Sequence, residues 1–294
     1  MRIRNSWIFS LAIGAAACSS DRAYAPPGTV LTDAQVSADV AATAGLAAAG
    51  SIEDQGQYLD NTGVSASLNT FGRLGSISSG MPVPSATNSP AHSTAPKLAC
   101  SYSTLTLRWV CDPFVNAHGL TVLWAYAYFD QSGHGMPGYN LLTTEKVEYW
   151  SQLDGPVGDG ATFTGTTHRK SDQLLTGLLG KETTRVWNGA GVSADTTSYH
   201  SASGSRHYAG VELDSVKSVI YRQPRTPGSY PLSGDVIRVA NYSVTSTGQA
   251  TETRSVSRRI VTTFNGTAAV PIRVGSTLCT LHLDTHKVDG CSGQ

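Results

Sequence analysis

The sequence predicts a mainly β protein, with one large antiparallel sheet that is curved or forms an open barrel and a short Ala-rich helical segment before it. Two observations predict this fold. Only 14% of the 294 residues are charged. From Lys97 onward, short runs rich in Thr, Val and aromatic residues follow one another, separated by turn signals and not by helical patterns. A β-sandwich is the alternative, because two packed sheets produce a similar series of short strands.

The C-terminal stretch 260–288 gives the clearest strand pattern. It reads as three strands, with a tight turn predicted at Asn265-Gly266 and further turns at 275–276 and 284–286. Strands this short are not stable alone, so they require a larger sheet.

The chain before residue 260 supplies the other strands of this sheet as a series of meanders. In the strand predicted over Gly119–Asp130, the large residues alternate and share one face, which predicts that this face is buried. Asn188-Gly189 is predicted to be a turn. Further strands are predicted at Leu142–Trp150, Thr162–Lys170, Thr183–Trp187, Ser205–Leu213, Val216–Arg222, Val236–Thr245 and Thr251–Phe264.

The densest aromatic group is a candidate site as well as a candidate core. If side chains fill the space that the curved sheet encloses, these residues form its core. If they fill that space only in part, the same residues line an apolar pocket. The group consists of Trp124, Tyr126, Tyr128, Tyr149 and Trp150.

Four of the five cysteines form two close pairs in the sequence. Cys100 and Cys111 bracket a turn predicted at 104–106, and Cys279 and Cys291 bracket the turn at 284–286. Directly opposite residues of an antiparallel hairpin are close enough for a disulfide, so we predict one bond within each pair. Paired cysteines of this kind are typical of an oxidising compartment, and four free thiols are the alternative.

The N-terminus has the pattern of an export signal, predicted over residues 1–17. Two basic residues precede an apolar run from Trp7 to Ala17 that is too short to span a membrane, and Ala15-Ala16-Ala17-Cys18 follows. This end resembles the lipobox of bacterial lipoprotein precursors, although Ala15 stands where that motif usually has Leu. The resemblance implies acylation of Cys18 and cleavage before it. An ordinary signal peptide is the alternative.

The whole chain also resembles β-rich envelope lipoproteins of environmental bacteria, on four features. These are the lipobox, the C-x10-C hairpin at 100–111, the YFDxxG turn at 128–133 and the aromatic-Asn-Gly turns at 187–189 and 264–266. The resemblance implies no activity.

The chain divides into four predicted regions. After the signal peptide, residues 18–31 form a lipid-anchored tether, residues 32–96 an Ala-rich helical segment and a Ser/Pro-rich linker, and residues 97–294 the antiparallel β domain. One or two helices are predicted between Thr32 and Tyr58, with Thr32 or Asp33 as the N-cap.

Charge and motifs restrict the function classes. Cleavage of the signal peptide removes Arg2 and Arg4, which takes the 21 basic residues to 19 against 21 acidic ones, a formal charge of −2. Because no basic stripe is present, a nucleic-acid partner is not expected. No nucleophile, phosphate-loop or metal motif occurs, so we expect no cofactor and no metal.

The sequence therefore predicts an exported lipoprotein, anchored through Cys18 at the periplasmic face of a membrane. Ser19 follows the cysteine, which in enteric-type sorting directs a lipoprotein to the outer membrane. The predicted role is a non-catalytic binding or structural module, with a small apolar ligand or an envelope protein as partner. Two alternatives are a carrier of an apolar ligand in the concave face of the sheet and a hydrolase assembled from separate strands.

Overall fold

The computed structural model describes residues 31–45, 99–115, 119–158, 163–201, 204–223, 229–247, 251–285 and 287–292. The predicted signal peptide, residues 18–30 of the tether with Cys18, and residues 46–98 lie outside the described residues.

One antiparallel sheet of 13 strands accounts for the described part of the β domain, which confirms the predicted mainly β class. The strands follow one another in chain order, except that β4 pairs with β3 alone, and the sheet is not closed. A single sheet excludes the β-sandwich. The strands are β1 Cys100–Ser103, β2 Arg108–Val115, β3 Thr121–Asp130, β4 Gly135–Met136, β5 Thr144–Gly158, β6 Phe163–Thr176, β7 Thr184–Ser201, β8 Gly204–Arg222, β9 Ser233–Thr247, β10 Thr251–Thr263, β11 Ala269–Val274, β12 Thr277–His282 and β13 Lys287–Ser292.

The sheet has a buried concave face and a more exposed convex face. Along β8, buried residues at positions 208, 212, 214 and 216 alternate with exposed ones at 207, 211, 213 and 217, as the period of a strand requires. Glycines on the concave face permit tight curvature. A Cβ added at Gly165 or Gly210 would collide with the backbone carbonyl of Thr196 or Asn241 on the next strand.

The predicted turn at Asn188-Gly189 is wrong, because β7 continues through it. The pairing of β7 with β8 shifts register between Trp187 and Gly189, where Asn188 alone faces Lys217 and Ser218, so the bulge lies in β8 opposite Asn188. The Asn188 side chain accepts a hydrogen bond from the backbone N–H of Ser218 at 2.9 Å, on the facing part of β8. Ser218 has a φ of 48°. The strands predicted separately at Ser205–Leu213 and Val216–Arg222 are one strand, β8.

Two of the three C-terminal turns lie where the pattern predicts them. Residues 275–276 connect β11 directly to β12, and the 283–286 segment joins β12 to β13. At Asn265-Gly266 the connection is longer than a two-residue turn and covers 264–268. There the Asn265 side chain accepts a hydrogen bond from the N–H of Thr267 at 3.0 Å, an Asx turn that accounts for the longer loop.

Both predicted disulfides are present, and they lie at the two edges of the sheet. Cys100–Cys111 joins the edge strand β1 to β2, and Cys279–Cys291 joins β12 to the edge strand β13. Edge strands carry unpaired backbone groups and are the weakest part of an open sheet. Each edge hairpin is therefore fastened covalently.

A single helix, α1, covers residues 33–45 of the described chain. Thr32 is its N-cap: its hydroxyl accepts a hydrogen bond from the Gln35 N–H at 3.2 Å, and the Gln35 side chain accepts one from the Thr32 N–H at 3.2 Å. This reciprocal pair is a capping box. The buried residues Val36, Val40 and Ala44 lie on one side of α1 and belong to the same core cluster as the concave face of the sheet.

Candidate functional site

The structure separates the five aromatic residues predicted to form one group. Trp124, Tyr126, Tyr128 and Tyr149 lie buried on the concave face, where the Trp124 and Tyr149 rings stack with centroids 6.2 Å apart. Tyr149 also stacks on Trp187, a fully buried residue that the sequence analysis did not include in the group. These rings pack on one another as a core does.

Trp150 lies on the opposite, convex face, because it follows Tyr149 directly in β5. The Arg108 guanidinium lies 3.6 Å from the centre of its ring, a cation–π contact. A shallow groove of about 430 Å³ runs beside it. The side chains that line the groove include Val110, Leu123 and Lys170.

The middle of the concave face holds a buried ionic network. Arg238 of β9 donates to Asp214 from Nε at 2.6 Å and from Nη2 at 3.2 Å, and its Nη1 lies 2.8 Å from Glu212 Oε2. Arg169 of β6 also contacts this carboxylate, with its Nη2 3.3 Å from Asp214 Oδ2. The hydroxyl of Tyr242 donates a short hydrogen bond to Glu212. The carboxylates come from one strand and the cations from strands on either side of it.

A third carboxylate, that of Asp195, lies one strand away on the same face. It accepts hydrogen bonds from the Ser193 hydroxyl at 2.5 Å and the Thr167 hydroxyl at 2.5 Å. With Glu212 and Asp214, the network has three carboxyl groups and two guanidinium groups. If all were ionised, the network would carry one excess negative charge.

Burial and the neighbouring charges together shift the pKa values of the two acids on β8. Burial raises the pKa of Glu212 from 4.5 to about 7. The negative charges of Asp195 and Asp214 raise this pKa further, and the positive charge of Arg238 lowers it. Burial acts in the same direction on Asp214, but the charges of Arg238 and Arg169 outweigh it and lower that pKa. Glu212 is therefore the group that takes up a proton near neutral pH.

The sequence contains a signal for this network that the sequence analysis missed. Val211-Glu212-Leu213-Asp214 alternates aliphatic and acidic residues with the period of a strand, so both acids must lie on one face. The pattern alone does not say which face is buried. An ordinary surface strand would bury Val211 and Leu213, and this protein buries the acids.

Polar contacts attach α1 to the concave face. The Asp39 carboxylate accepts hydrogen bonds from Arg206 Nε at 2.7 Å, Arg206 Nη2 at 3.1 Å and the Tyr208 hydroxyl at 2.5 Å. The hydrogen bond and the charge of Asp39 raise the pKa of Arg206, in spite of its partial burial. At the start of the helix, Asp33 lies 3.1 Å from Arg254 and 3.2 Å from Arg258.

We expect Asp39→Asn to destabilise the protein by about 1–2 kcal/mol, because Arg206 and Tyr208 lose a charged acceptor in a largely buried position. Chemical unfolding and hydrogen exchange of residues 31–45 measure the change. Asp33→Asn removes the same charge from the same helix at a side chain that is 79% exposed, so its effect should stay below about 0.5 kcal/mol. Equal effects of the two substitutions would contradict the assigned role of Asp39.

The hydrolase alternative requires a nucleophile, a base and an orienting acid in one place. Ser198 and His207 are 2.8 Å apart, and Asp154 contacts His168 in a short hydrogen bond while accepting another from Gln152. Within the described residues, no carboxylate bonds His207 and no hydroxyl bonds His168. Each pair therefore lacks the third member of a triad in that part of the chain.

Two features are absent from the residues that the structure describes. No group of three His, Cys, Asp or Glu side chains is arranged to hold a metal ion. No helix has the length and apolar character that crossing a membrane requires.

Comparison with known proteins gives no family for the chain. No protein-family model, no curated protein and no solved structure matches it.

Proposed function

We propose that this protein is an exported lipoprotein of the bacterial cell envelope, anchored through acyl chains on Cys18, and that its β domain is a non-catalytic binding or structural module. The cysteines carry the proposal. Four of the five are paired in two disulfides, which suits an oxidising compartment. The fifth, Cys18, follows an apolar leader and three alanines, as the acylated cysteine of a lipoprotein precursor does.

The ionic network supports a structural role over a catalytic one. Its carboxylates are occupied by arginine or hydroxyl partners, and Glu212, Asp214 and Arg238 are all buried. A substrate would have to displace these contacts to reach them. The stacked rings of Trp124, Tyr149 and Trp187 likewise occupy the concave face themselves, which favours a filled core over a carrier pocket.

Metabolic labelling with radioactive palmitate tests the anchor. We expect the native chain to carry the label and to fractionate with membranes, and globomycin to cause accumulation of the longer precursor. Cys18→Ser is the matched control, and it should lose the label while both disulfides remain. A native chain that is unlabelled, or that is recovered in the soluble periplasmic fraction, would overturn the proposal.

A further inference from the structure

The convex face carries an aliphatic patch at the centre of the sheet, on three adjacent strands. In the register of the sheet, Val192 pairs with Leu213 and Leu213 with Val239, while Ala194 pairs with Val211 in the next row. We call this set, together with Ala190, the aliphatic patch. It consists of Ala190, Val192, Ala194, Val211, Leu213 and Val239.

The patch is exposed although it lies opposite buried charges. Val192 is 42% exposed, Val211 45% and Leu213 54%. Glu212 and Asp214, which alternate with Val211 and Leu213 along β8, are buried on the other face. A sheet with one face in water normally has its polar residues on that face. In the middle of β8 the usual distribution is inverted.

The patch has polar neighbours on both sides. On the same convex face, β6 presents Thr164, Thr166, His168 and Lys170, and β10 presents residues 253–259, which are Thr, Ser and Arg at alternate positions. A second apolar group on this face, around Val110, Leu123 and Trp150, lies on β2, β3 and β5, and β6 separates it from the patch. Contiguous exposed apolar surface of this kind marks a contact with another apolar phase.

The charged residues around the patch indicate which kind of apolar surface it contacts. The row through Val192, Leu213 and Val239 has Lys170 at one end and Arg259 at the other. None of the convex residues of β7 at 190–196, of β8 at 209–215 or of β9 at 237–243 is charged. In the next row, Asp172 of β6 pairs with Ala190 and places one acidic side chain at the border of the patch. An aliphatic strip between two basic side chains fits an interface of acyl chains and anionic headgroups.

We propose that the aliphatic patch docks on the surface of a membrane containing anionic phospholipid, with Lys170 and Arg259 at the level of the phosphates. The inference rests on the proposed lipid anchor. Leu31 lies 13 residues after Cys18, a length that spans at most about 45 Å. The anchor therefore keeps the start of the described chain, and the β domain with it, close to the membrane.

Photochemical cross-linking tests the contact without relying on acylation in cells. In a chain that begins at Cys18, this residue has the only thiol outside the two disulfides, so it can be coupled to a maleimide phospholipid in vesicles of phosphatidylethanolamine and phosphatidylglycerol. A benzophenone amino acid replaces Leu213 in one chain and Leu142 in the matched control. Leu142 is 83% exposed in the turn before β5, so probe exposure does not favour position 213.

We expect cross-links to lipid to be several-fold more frequent from position 213 than from position 142. Lys170→Gln combined with Arg259→Gln should lower the yield at 213 on these vesicles, and vesicles of phosphatidylcholine alone should lower it likewise. Near-UV circular dichroism confirms that each variant keeps its fold.

Equal lipid cross-linking at 213 and 142, or cross-links from 213 only to a second copy of the protein, would overturn the membrane contact. Because the coupling is chemical, that result leaves acylation of Cys18 standing. Lipid cross-links from a protein whose Cys18 is unlabelled in cells would instead overturn the anchor alone.

Discussion

Replacing Arg238 by Met is expected to destabilise the protein by about 3–5 kcal/mol, the largest effect of any single substitution considered. The substitution leaves Glu212 and Asp214 buried without their main cation, and an uncompensated buried charge costs more than the ion pair itself contributes. Arg238 makes the hydrogen bonds at 2.6 and 3.2 Å to Asp214 and the contact at 2.8 Å to Glu212. Urea unfolding, monitored by Trp fluorescence, measures the loss.

Arg273→Met is the control, because Arg273 is an exposed residue of β11 and the change there should stay within about 0.5 kcal/mol. A second variant separates charge from packing. Adding Glu212→Gln and Asp214→Asn to Arg238→Met removes the unpaired carboxylates and should recover a large part of the lost stability. If Arg238→Met costs no more than Arg273→Met, or if neutralising both acids recovers nothing, the network does not have the assigned energetic role.

The second large effect concerns pH. Glu212 has a pKa of about 7 in the folded protein and an ordinary value of 4.5, so between these values the folded chain binds a proton that the unfolded chain has released. Stability should therefore fall as the pH rises from about 5 to about 8, by an amount on the order of 3 kcal/mol from this group. Unfolding midpoints across this range measure the slope.

Glu212→Gln should make the stability nearly independent of pH over the same range, since an amide resembles the protonated acid and does not titrate. Glu148→Gln, on the convex face of β5, should keep the slope of the native chain. Asp214 works in the opposite direction, because its lowered pKa gives stability that is lost only as the pH falls through the acid range. A native slope that persists in Glu212→Gln would show that another group takes up the proton.

The sequence predicts most of the fold because the strands are local structures. The strand at 119–130, the disulfide hairpins and the turn at 275–276 are each specified by residues close together in the chain. The prediction of a turn at Asn188-Gly189 was wrong because this dipeptide lies opposite a bulge of β8, and its contact with Ser218 on that strand cannot be read from the local sequence.

The ionic network was less predictable for a physical reason. Alternation in β8 shows that Glu212 and Asp214 share a face, but hydrophobicity predicts that Val211 and Leu213 are the buried pair. The partners of the acids, Arg169 and Arg238, come from other strands, 45 residues before and 24 residues after Asp214 in the chain. Nothing in a single sequence pairs residues at that distance.

The order of the strands has a consequence for how the chain folds. Each strand pairs with the strand that precedes it in the chain, except that β5 pairs with β3 and not with the two-residue β4. A polypeptide that emerges N-terminus first can therefore add one hairpin at a time. Helix α1 is the exception. It emerges first, yet its contacts are to Arg206 and Arg258, 167 and 225 residues later. Helix α1 can therefore make its full set of contacts only after β10 has joined the sheet.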